Sequence, residues 1–158
     1  MSSERKSDAT REGIEGNVEK YLSYSEAWAR IDEAREQGFY LEAVTIEESI
    51  ICDRLISYLV GVGAIDRKSD FHNYPSFSRL IQKWRQNGSV NQNDYPGLID
   101  EVDDWRDQRN YLIHSMVKSH PGTPTDQIED FLDDAKEAAD KGKELARDVC
   151  NWHSDEKG

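Results

Sequence analysis

Six consecutive residues, Arg109-Asn110-Tyr111-Leu112-Ile113-His114, concentrate the groups best suited to chemistry on a phosphate. An arginine offers a planar fork of donors that matches phosphate oxygens. A histidine titrates near neutrality and can take or give a proton. Asn110 can orient either partner. On a helix, Arg106, Asn110 and His114 follow one another at four-residue spacing and form a polar band. Arg109 itself falls in the middle of an apolar stripe made by Leu98, Val102, Trp105, Leu112, Ile113 and Met116. A buried, unpaired guanidinium is costly, so Arg109 requires either an acidic partner or an opening at that point. Glu47 and Glu48, which flank the apolar stripe of an earlier helix beside Ile51, are the two candidate partners. A purely structural ion pair would satisfy the same pattern, so pairing by itself does not separate architecture from chemistry.

The elements that must position these residues read as helices throughout. Apolar residues at Ala27, Trp28, Ile31 and Ala34 predict a helix starting near Ser25 and ending at Gly38. A longer one is expected over 39–62, with Val44, Ile51, Leu55, Tyr58 and Val62 on one face and Ile46 and Ile50 on another. Apolar residues on two sides suit a central helix, or one that also meets a second subunit. A third helix is expected over 76–86, a fourth over about 98–118, and a last one from Thr125 or Asp126 to about Trp152. In that last helix Ile128, Leu132, Ala135, Ala139, Leu145 and Val149 form the stripe, and Gly142 is a weak point. Loops are marked by Pro75, by the segment 87–97 and by Pro121-Gly122-Thr123-Pro124. The expected fold class is all-α, an antiparallel bundle of four to five helices. It divides into a polar, flexible N-terminus over 1–22, a helical body over 23–153 and a charged tail over 154–158.

Composition narrows the function classes. A formal net charge of −12 over 158 residues opposes phosphate binding across the whole surface and leaves room only for a locally basic cleft. Cys52 and Cys150 are too few and too far apart for a disulfide scaffold or zinc site and are expected as free, buried thiols. His72, His120 and His153 share no helical spacing with a second ligand, and the acidic runs 100–104 and 130–134 lack the alternation of a calcium loop. No metal and no cofactor are therefore expected. The first twenty residues hold no apolar run and no stretch has the length of a membrane span, so no membrane partner and a cytoplasmic location are expected. Trp84 and Trp105 fall on apolar stripes and are expected in the core; Trp152 is left open between packing and base stacking.

Arg109-Asn110 followed by three residues and His114, late in a long helix of a small helical domain, resembles the motif of the HEPN superfamily. Many members of that superfamily are metal-independent endoribonucleases of toxin–antitoxin, CRISPR and phage-defence systems. The resemblance extends over the helical body, although only the six-residue motif is specific. It implies a homodimer in which two motifs face each other, with Arg109, Asn110 and His114 as catalytic residues. Glu47 or Glu48 would support the arginine, with Arg106 beside it. It also implies an RNA substrate and an antitoxin or other regulatory protein as a partner. The toxin branch paired with nucleotidyltransferases carries a tyrosine two residues after the histidine, and Met116 stands there instead. A catalytically silent HEPN domain that works as a dimeric binding or scaffolding module is the alternative.

Overall fold

The computed structural model describes residues 20, 22–68, 73–87, 94–117 and 125–157, and every regular element among them is helical apart from turns. Helix α1 covers 22–37, α2 Tyr40–Gly61, α3 Phe77–Asn87, α4 Leu98–Val117 and α5 Thr125–Lys157. The bounds agree with the periodicity to within a few residues, except that α1 starts earlier and α5 continues through the charged stretch 154–157. Residues 1–19 of the expected polar N-terminus lie outside the described residues, as do His72 and His120.

Gly38 ends α1 where the pattern places it. Its φ of +80° turns the chain, and Phe39 N then donates to Ala34 O at 2.8 Å. The contacts between helices fix their directions. Ser57 meets His153 and Glu47 lies against Gly142, so α2 and α5 run parallel. Asp32–Lys143 and Arg35–Asp140 make α1 antiparallel to α5. Glu101–Lys141 and the bond from Trp105 Nε1 to Ala138 O do the same for α4. The order is therefore a hairpin of α1 and α2, a crossover to α3, and a second hairpin of α4 and α5.

The core runs through Ile31, Val44, Ile51, Leu55, Leu59, Leu80, Ile81, Trp84, Trp105, Leu112, Leu145 and Val149. Trp152 joins it rather than the surface: its ring meets Tyr58 edge-on at 4.6 Å and Trp84 at 5.0 Å, which resolves its role as packing. The Ile46–Ile50 face of α2 turns to α1, where it lines a groove of about 380 Å³ with Tyr24, Ala27 and Asp53.

On α5 a seam of Ile128, Leu132, Ala135, Ala139, Gly142, Ala146, Val149 and His153 repeats at alternating steps of four and three. Its middle is made of small residues, which let α2 approach closely. At Gly142 there is no room for a side chain, because a Cβ there would collide with Glu47 Oε1 and sit 2.6 Å from Trp105 Cζ2. The glycine that weakens α5 in isolation is thus what allows three helices to meet.

Candidate functional site

Helix α4 presents the motif in a graded way. Leu112 is buried, Arg109, Asn110 and Ile113 are half-buried, and Tyr111 and His114 are exposed. Alternation of this kind follows from 100° of rotation per residue on a helix with one face in the core.

Arg109 has found its acidic partner. Its Nη2 donates to Glu48 Oε2 at 2.9 Å, across from α4 to α2, with the two side chains 25% and 16% exposed. Nη1 donates to Asn110 Oδ1 at 3.0 Å, while the buried Nε has no acceptor. Glu48, Arg109 and Asn110 form a short chain of charge-assisted bonds reachable from solvent. Burial raises the Glu48 carboxyl above its usual range and the Arg109 guanidinium opposes that shift. Cys52, one turn further along α2, is a half-buried free thiol pushed up to about 12, mainly by burial and secondarily by the Glu48 charge.

Of the two candidate glutamates, Glu48 is therefore the one that holds the arginine. Glu47 points elsewhere: it is fully buried, neither carboxyl oxygen has a hydrogen-bond partner, and it packs by Gly142 and Trp105. Desolvation pushes its carboxyl up to about 9, with nearby Arg35 and Lys143 opposing and Asp140 reinforcing the shift. Glu47 is accordingly a neutral acid inside the bundle at pH 7. The signal for this was present but ambiguous, since positions 47 and 48 border the same stripe and only the close approach at Gly142 decides which turns inward.

Arg106 is occupied on its own helix, bonding Asp103 at 3.2 Å and Asp107 at 3.1 Å, and Asp103 is shared with Arg85 of α3. Its charge is therefore locally neutralised. His114 makes no hydrogen bond or ion pair to any described residue, and its ring stands in solvent. It lies five positions on from Arg109, roughly 140° around and 7.5 Å along the helix, so one chain does not bring guanidinium and imidazole into contact. Among the described residues, no group of three or more histidine, cysteine, aspartate or glutamate side chains is arranged to hold a metal, and no helix is long and apolar enough to cross a membrane.

A second polar cluster lies on the far side of α2. Asp53 accepts from Tyr24, Arg54 and Lys20, and Arg54 also lies 4.8 Å over the Tyr24 ring. These bonds hold the Asp53 carboxyl below its usual range in spite of burial. The cluster ties α1 to α2. His153, 3.2 Å from Ser57, belongs to the same upper half of the bundle.

Compared with family models, curated proteins and solved structures, the chain has no significant match. What the site can do must be argued from its own groups.

Proposed function

We propose that this protein is a metal-independent endoribonuclease of the HEPN type, acting as a homodimer whose two α4 helices face one cleft. The observation that carries the reading is the Glu48–Arg109–Asn110 chain ending about one turn from an exposed His114 that bonds to no described residue. A structural arginine needs Glu48, but it does not need an exposed imidazole further along the same helix. Tyr111, the most exposed large hydrophobic side chain of the described residues, lies one turn from His114 and supports burial of this face against a second copy.

RNA brings its own nucleophile, the 2′-hydroxyl beside the scissile phosphate. His114 of one subunit removes the 2′-hydroxyl proton as that oxygen bonds to phosphorus, and the phosphorus–5′-oxygen bond breaks. His114 of the other subunit protonates the departing 5′-oxygen. Arg109, aimed by Glu48, binds the non-bridging oxygens and stabilises the charge gathering on them. Asn110 orients the phosphate. The products are a 2′,3′-cyclic phosphate and a 5′-hydroxyl. The toxin or defence role, the antitoxin-like regulator and the cytoplasmic setting belong to the same reading.

Incubating the purified protein with a fluorescent RNA in EDTA, and identifying product ends by mass spectrometry, tests this directly. Cleavage with those ends is expected, and His114→Ala should lower the rate by at least about a hundredfold, the usual span for general acid–base groups. Intact RNA, or a His114→Ala protein that cuts as fast as wild type, refutes the assignment. The net charge of −12 favours the second reading, a silent dimeric module, to which intact RNA with a preserved dimer would point.

A further inference from the structure

Between α1 and α2 a groove stays open along most of the hairpin. Two stretches of it, about 380 and 270 Å³, share Ile46 and so form one slot. Its α1 wall carries Ser23, Ala27 and Ala34, small residues on one stripe of the helix; larger side chains there would fill the space. Ile46 and Ile50 of α2 give it an apolar floor, half-buried and buried respectively. From the level of Glu42 to that of Asp53 the slot runs for about 16 Å, at 1.5 Å per residue. Its two ends differ in charge. At one end Lys20 and Arg54 share the single carboxylate of Asp53. Lys20 is 47% exposed and meets Asp53 at 3.2 Å, which occupies one of the three donors of its ammonium group. At the other end stand Glu33 and Glu42, with Arg30 bonded to Glu26.

We propose that this slot binds a free fatty acid whose chain of about twelve carbons matches its length. The carboxylate meets Lys20, with the Ser23 hydroxyl as a second donor, and the chain lies over Ala27 and Ile46 toward Ala34 and Phe39. Removing the chain from water drives binding, and the few polar groups at one end fix its direction. Charge assigns head and tail, because the reversed ligand would set its carboxylate against Glu33 and Glu42. Shape and charge also separate this occupant from larger ones. A docked helix, about 10 Å across, would ride above a slot walled by alanine and serine rather than enter it. Among the described wall residues, Phe39 is the one large apolar side chain exposed to such a helix. A nucleic-acid backbone would be repelled by the two glutamates of the corner half. Glu48, which holds Arg109, lies roughly 160° around α2 from Ile46, so the slot is independent of the proposed ribonuclease cleft.

Isothermal titration of the full chain with dodecanoate, kept below its micelle concentration, should show saturable one-to-one binding. Ala27→Leu, which grows a side chain into the slot, should weaken it by about tenfold or more by displacing methylenes from the walls. Ser49→Leu fills the same stretch from α2 and should act alike; circular dichroism shows which variants are folded, so loss of one fold leaves the other to decide. Lys20→Gln should weaken dodecanoate about twofold to fivefold, the range for losing an exposed ion pair, and should not weaken dodecylammonium. Leu22→Ser, an exposed leucine outside the slot, should change nothing. Absence of saturable binding overturns the proposal, as does equal affinity for dodecylammonium, or wild-type affinity in a folded slot-filling variant. These readings involve neither RNA nor His114, so failure here is distinguishable from failure of the ribonuclease reading.

Discussion

At the scale of single residues, two adjacent glutamates illustrate how position on a helix sets chemistry. Glu48 faces a guanidinium and remains an ion-pair partner, while Glu47, 100° around, enters a dry space between Gly142 and Trp105. A carboxyl whose folded value lies near 9 holds its proton in the folded chain after the unfolded chain has lost it. The folded state then binds more protons than the unfolded state between about pH 4.5 and 9, so this group makes stability fall as pH rises through that window. Glu47→Gln, a neutral replacement of the same shape, should flatten the decline of Tm between pH 5 and 9, which thermal melts at several pH values will measure. An unchanged slope would mean that Glu47 is ionised in the folded protein. Sequence periodicity narrowed the partner of Arg109 to two positions but could not choose, because both border one stripe and the choice depends on where α5 lies. It did place Arg109 within the apolar stripe, in need of an acidic partner or an opening, and the structure has it half-buried and paired with Glu48.

At the scale of elements, boundaries were legible wherever backbone chemistry punctuates them. Gly38 required a left-handed conformation, and the apolar spacing of α4 named Leu98, Val102, Trp105 and Leu112, which became its core face, with Ile113 half-buried at its edge. The expected end of α5 at Trp152 fell short, because charged residues continue a helix readily once its inner face is anchored by Trp152 and His153. The role of Gly142 was not legible, since propensity treats glycine as a defect and cannot report close approach by a second helix. In an open helix, exchanging glycine for alanine strengthens it by up to about 1 kcal/mol. Here Gly142→Ala should instead destabilise the fold by about 1–3 kcal/mol through overpacking against Glu47 and Trp105, read from urea denaturation. Pairing it with Glu47→Ala, which removes the carboxyl that the new methyl would strike, should recover part of the loss. The surface pairs Arg30–Glu26 and Lys141–Glu101 are exposed, the second at 3.8 Å, and contribute little by comparison.

For the whole molecule, charge and assembly act together. With a net charge of −12, the protein has no general attraction for RNA, so catalysis on the proposed reading depends on a composite cleft rather than on a basic surface. Activity per chain should then fall on dilution as dimers separate, and excess His114→Ala chains mixed with wild type should suppress wild-type cleavage, because a mixed dimer keeps only one of the two histidines the reaction uses. Cleavage that stays proportional to protein concentration at all dilutions would instead place a complete site in one subunit.

The position of the α1–α2 corner carries a last consequence for how such a molecule can change over time. Arg35–Asp140 and Asp32–Lys143 set the Gly38 corner level with about residue 137 of α5, where Trp105 of α4 also lies, so His114, further along α4, stands beyond that corner. Matched insertions of seven residues in α4 and α5, placed between Arg109 and His114 on α4, would move the imidazole outward by roughly 10 Å with little rotation and leave the Glu48–Arg109 pair and the interior untouched. The buried bundle below and the exposed imidazole above can thus change separately, and variation at the tip need not endanger folding.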